Sequence, residues 1–145
     1  MTTETSSADS KSCRRHIPTT VVRLLLGLSL IVFGLNLFFY FIPQPSTPLP
    51  EGAAAFAGAL FKSGYMMPLI GVTQLVVGVM LVTNRFVPLA LALFAPFIVN
   101  SIAFHVFLEP SGLVMAGIFM AMELYLAWAY RAAYRTMLAA RVMPS

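Results

Sequence analysis

The chain is 145 residues long, 59% hydrophobic and only 10% charged, with a mean hydropathy of +0.87. Soluble domains average about 25% charged residues, so the composition excludes an ordinary soluble domain and leaves too little polar sequence for a second one. The pI of 9.6 does not indicate a nucleic-acid binder, because the basic residues flank apolar runs and form no stripe with interleaved aromatics.

Residues 1–20 read as a disordered cytoplasmic tail. Their first half is rich in Ser, Thr and acids, and a basic patch of Lys11, Arg14, Arg15 and His16 follows. Cys13 is the one cysteine, so no disulfide can form within the chain and no C-x-x-C relay is present. The first apolar run spans about 21–42. It is longer than the roughly 7–15 residues of a signal-peptide core and reads as a retained membrane span. Arg23 lies close enough to its edge to snorkel to the headgroups. Phe38, Phe39, Tyr40 and Phe41 form an aromatic belt at its far end.

Residues 43–50, PQPSTPLP, hold four prolines and cannot form a regular helix. The next segment, EGAAAFAGALF, spaces Phe56, Leu60 and Phe61 as one stripe and is too short to cross a bilayer. It reads as a short interfacial helix on the outer surface. The second span covers about 66–82, with Gly71, Gln74 and Gly78 on one face. Gly27 and Gly34 in the first span repeat the seven-residue spacing, which predicts close helix packing. Residues 83–85 turn into the third span, 86–107, which carries Pro96, Asn100, Ser101 and His105 in its second half. The fourth span, about 112–130, contains Glu123 and ends in an aromatic belt. Residues 131–145 form a basic tail.

The fold class is therefore all-α, an integral membrane four-helix bundle with a short interfacial helix between spans 1 and 2. Eight of the nine Lys and Arg residues, all but Lys62, fall on one side. The positive-inside rule then places both termini in the cytoplasm of a multi-pass inner-membrane protein.

With that orientation, rise per residue gives depth. Asn36, Gln74 and Asn100 fall about 9, 12 and 10 Å from the outer edge, and Glu123 about 16 Å. His105 lies above the amides, near the outer mouth. These five residues, Asn36, Gln74, Asn100, His105 and Glu123, are the candidate ligand-binding set, expected to share one pocket with Glu123 at its base. Each also has a structural reading. Amides serve as interhelical glue, His105 has Ser101 and Glu109 one turn away on either side, and Glu123 can pair with an arginine of a neighbouring helix. Suitable ligand spacing for a metal is missing, and no catalytic residue is assigned.

The run Arg23-Leu24-Leu25-Leu26-Gly27-Leu28, then Phe33-Gly34-Leu35-Asn36, Ser63-Gly64-Tyr65 with Pro68, Asn84-Arg85-Phe86, Pro96-Phe97-Ile98-Val99-Asn100 and Phe104-His105-Val106-Phe107-Leu108 resembles the DoxX-type membrane proteins over about residues 20–130. The resemblance implies a four-helix inner-membrane fold. It also implies kinship with proteins that include the small subunit of a thiosulfate:quinone oxidoreductase. Two positions depart from the pattern, Gln74 where the family often has an acid and Leu37 where it often has a basic residue, so no ion pair or proton step using those charges carries over. The expectation is a subunit of a membrane redox system that offers a quinone or lipidic ligand a polar pocket, with no intrinsic cofactor and with electrons coming from a redox partner protein. The alternative is a structural or assembly protein without a ligand. A small proton-coupled transporter using Glu123 is the third reading.

Overall fold

A computed structural model describes residues 5–43 and 48–137; side chains are described from residue 17 to residue 134 outside the gap. Among these residues every regular element is helical and there is no strand. The order is α1 Thr5–Phe39, α2 Glu51–Lys62, α3 Met66–Val82, α4 Val87–Phe107, one 3-10 turn Pro110–Gly112, α5 Leu113–Ala129 and α6 Arg131–Met137. Three stretches are long and apolar enough to cross a membrane: Ile17–Phe39, Val87–Phe107 and Pro110–Ala129. A fourth is reached if α2 and α3, bent by 87° at their junction, count as one span.

The boundaries of α3 coincide with the expected span. α4 starts one residue later than its span, and α5 is one residue shorter at each end. The first span differs more. Helix α1 already begins at Thr5, so the segment expected as a tail is helical from there; no glycine interrupts it and Pro18 is accommodated inside. The helix stops at Phe39 rather than residue 42, because Tyr40 takes a left-handed φ of 49° and the Asn36 side chain accepts the Ile42 amide at 2.7 Å. Residues 1–4 of the expected tail, 44–47 of the proline loop and 138–145 of the basic tail lie outside the described residues.

Helices α1 and α3 make the most extensive contact, followed by α4 with α5 and α3 with α4. The α1–α3 seam is antiparallel and built on glycine. A methyl group at Gly27 would lie 3.0 Å from the Gly78 carbonyl oxygen, and one at Gly34 would lie 3.0 Å from that of Gly71. Only glycine lets the two backbones meet so closely. Around this seam Leu26, Leu30, Val77, Leu81, Leu91, Phe94, Ile98 and Leu126 form the core. Helix α5 closes it against α1 through an edge-to-face Phe33–Phe119 contact and a Thr19–Tyr125 hydroxyl hydrogen bond of 3.2 Å.

The outer faces are as apolar as the core. Leu25, Leu28 and Val32 on α1, Leu69, Val72, Val76 and Val79 on α3, Leu89, Leu93 and Val99 on α4, and Val114, Ile118 and Leu124 on α5 are all exposed. Such a surface would be insoluble in water and is at home in hydrocarbon. The chain is accordingly a membrane protein.

Arg23 does not snorkel. It is buried at 7% exposure, and its guanidinium donates to the carbonyls of Leu81 and Val82, the latter at 3.3 Å. These are among the last carbonyls of α3, which lack a partner within their own helix. A cation there also meets the negative end of the helix dipole.

Candidate functional site

A cavity of about 410 Å³ opens among α1, α2, α3, α4 and α5. Its walls are mainly apolar and aromatic, with Phe33, Phe94, Phe97 and Phe119 prominent and Leu60 of α2 at its edge. Four side chains bring polarity: Asn36, Gln74, Ser101 and His105. A largely apolar cavity with a few convergent polar groups is the usual form of a small-molecule site.

The sequence places these groups by helical phase. On α4, Phe94, Phe97, Ile98, Ser101 and His105 fall within one face at about 100° per residue, and all five line the cavity. The same periodicity turns Asn100 about 120° away from Phe94. Asn100 is exposed and does not line the cavity. Its expected place in the amide layer is thus corrected: depth alone put it there, and azimuth removes it.

Glu123 is also separated from the set. It is buried at 5% exposure but lines a different cavity, of about 320 Å³ between α4 and α5 beside Tyr134. It follows Phe119 by one helical turn, and Phe119 lines only the first cavity while Ile98 lines both. The single pocket expected with Glu123 at its base is therefore two. No arginine pairs with Glu123 among the described residues. Arg23 caps α3, and Arg131 donates to the Trp128 carbonyl at 3.0 Å and stacks over the Trp128 ring at 4.7 Å.

Two of the three remaining candidates are satisfied locally. Asn36 holds the end of α1 through Ile42. His105 lies 2.8 Å through Nδ1 from the Glu109 carbonyl oxygen and 3.0 Å from the Glu109 carboxylate. That carboxylate also accepts from the Ser111 hydroxyl and, at 3.2 Å, from the Gly112 amide. These bonds, the Ser111 contact foremost, hold the Glu109 carboxyl below its ordinary value of 4.5. The imidazole packs so closely on Gly112 that any Cβ there would overlap the ring.

Gln74 is different. It is 6% exposed, lines the cavity, and its Oε1 has no hydrogen-bond partner. A buried acceptor left unmatched costs about 1–3 kcal/mol. Sequence reasoning missed Ser101 as a member of the site, although its spacing from His105 on one helical face was the available signal. The aromatic walls carried no such signal, since phenylalanine is common throughout the spans. Among the described residues no group of three His, Cys, Asp or Glu side chains could hold a metal ion.

No family model, curated protein or solved structure matches this chain.

Proposed function

We propose that the chain is a DoxX-like four-span protein of the inner membrane, a subunit of a membrane redox system whose larger cavity takes a quinone-class ligand. In this reading α1, α3, α4 and α5 cross the bilayer as a bundle and α2 lies at the outer surface. Charge supports the orientation: Arg23, Arg85 and Arg131 gather at one end of the helices, and Glu51, Lys62 and Glu109 at the other. The positive-inside rule puts the arginine end, and both termini, in the cytoplasm.

The observation that carries the ligand proposal is the unmatched Gln74 Oε1 facing a cavity of about 410 Å³ with aromatic walls. Such a site suits a flat ring bearing a hydroxyl, as in a quinol, with its tail leaving toward lipid. The ligand would bring the redox chemistry and a partner protein the electrons; this chain's residues would bind and orient. The test is binding of a ten-carbon-tailed benzoquinol to the full chain in vesicles. Gln74→Met weakens binding about five- to tenfold, the equivalent of one hydrogen bond at about 1–1.5 kcal/mol, while Asn100→Ala binds as the parent does. Equal binding by Gln74→Met and the parent refutes the reading.

A second reading, a structural or assembly protein, is favoured by the local satisfaction of Asn36 and His105. Under it, Asn36→Ala and His105→Ala lower the melting temperature and no quinol binding is measurable in the parent chain.

A further inference from the structure

The smaller cavity, between α4 and α5, has a chemistry of its own. Its walls include Ala92, Ala95, Ile98 and Leu124, and its polar groups are Glu123 and Tyr134. Ala92, Val99 and Leu124 line it and are exposed, so it opens on the apolar outer surface. Small alanines leave the space; the acid marks its inner wall.

Glu123 Oε2 is buried without a partner. The Tyr134 hydroxyl donates to the Pro88 carbonyl at 2.9 Å, so its proton is committed. Pro96 lies within α4 and has no N–H, which leaves the Ala92 carbonyl without its α-helical donor. The α4 residues lining the cavity are all apolar, α5 contributes Glu123 as its one titratable group, and α6 contributes Tyr134. Of the arginines at this end, Arg23 and Arg131 are occupied elsewhere, and Arg85 is exposed and does not line the cavity.

A buried carboxylate is best matched by a donor that also carries positive charge. We infer that the cavity between α4 and α5 is a binding site for a long-chain primary ammonium, its head on Glu123 and its alkyl chain lying in the membrane along the exposed alanine and leucine rim. A primary ammonium offers three N–H donors, enough to meet both the Glu123 carboxylate and the Ala92 carbonyl. An alcohol of the same length offers one donor and no charge. This inference does not depend on the quinol reading, because the two cavities have different polar groups.

The chain has one tryptophan, Trp128, and its neighbour Ala127 lines the cavity. Trp128 fluorescence is therefore a single-site reporter. The full chain is reconstituted in phosphatidylcholine vesicles and titrated with dodecylammonium and, separately, with dodecanol. The parent chain gives a saturable change with dodecylammonium. Glu123→Gln and the cavity-filling Ala95→Phe each weaken it about tenfold or more, while Gln74→Met leaves it unchanged. Ala95→Phe keeps the acid and Glu123→Gln keeps the space, so the pair tests charge and volume separately. A dodecylammonium response equal in the parent and both variants overturns the site, and a dodecanol response as strong as that of dodecylammonium overturns the ammonium assignment.

Discussion

Arg23 shows how one side chain can serve two helices. Its guanidinium on the Leu81 and Val82 carbonyls ties the start of the first span to the end of α3. Arg23→Ala leaves the Leu81 carbonyl only its Asn84 amide partner and removes the cation from the end of α3, lowering stability by about 1–3 kcal/mol, read as a fall in melting temperature in detergent. Arg23→Lys recovers part of the loss, since a single ammonium cannot reproduce the planar fork. Glu109 supplies a pH dependence. Its folded value is depressed below 4.5 by Ser111, Gly112 and His105, so its contribution is complete above the ordinary carboxylate range and is lost as pH falls through the lowered value. Glu109→Gln removes that part of the acid transition, which pH-dependent melting would detect. At the same turn, Gly112→Ala forces the imidazole aside and costs about 1–3 kcal/mol, with loss of the His105–Glu109 contact visible in the imidazole NMR shifts.

At the scale of the element, the paired glycines decide how α1 and α3 meet. Gly78→Leu drives a side chain into Ile31 and the Gly27 carbonyl and separates the helices, lowering stability by about 1–3 kcal/mol or more. Gly117→Ala has open space around its new methyl and is neutral or stabilising, because alanine is the better helix former. Comparing the two melting temperatures isolates packing from propensity. The long apolar helices were legible in the sequence, α3 to the residue, because long apolar runs punctuated by proline and turn residues leave little choice; the helical residues 5–20 and α6, expected as tails, were not, since neither carries such a run. The glycine seam was legible too, since both helices carry the same seven-residue spacing. The candidate site was legible only in part. Depth follows from counting residues, and it grouped Asn36, Gln74 and Asn100; azimuth needs a reference face, and an all-round apolar helix gives none from its hydrophobic pattern. That is why the sequence misplaces Asn100, and it reads Arg23 as a surface group because nothing in one helix announces the C-terminal carbonyls of another.

For the whole molecule, the proposed arrangement predicts sidedness. In a Cys13→Ser background, Lys62→Cys reacts with a membrane-impermeant maleimide added outside intact cells, and Arg85→Cys reacts only after the membrane is opened. Reaction of both from the same side refutes a chain whose arginine end faces the cytoplasm. The two cavities also divide the molecule, the larger one between the Glu109 end and the core, the smaller one lower down between α4 and α5.

The seam between α1 and α3 has a mechanical consequence. Where main chain rests on main chain, as at Gly27 with Gly78 and Gly34 with Gly71, sliding would drive atoms into one another within a fraction of an ångström. These two helices therefore behave as a single stiff plank. Any breathing that would admit a guest is left to the parts outside that plank, α2 beyond its 87° bend and α5, which meets α1 through the Phe33 and Phe119 rings.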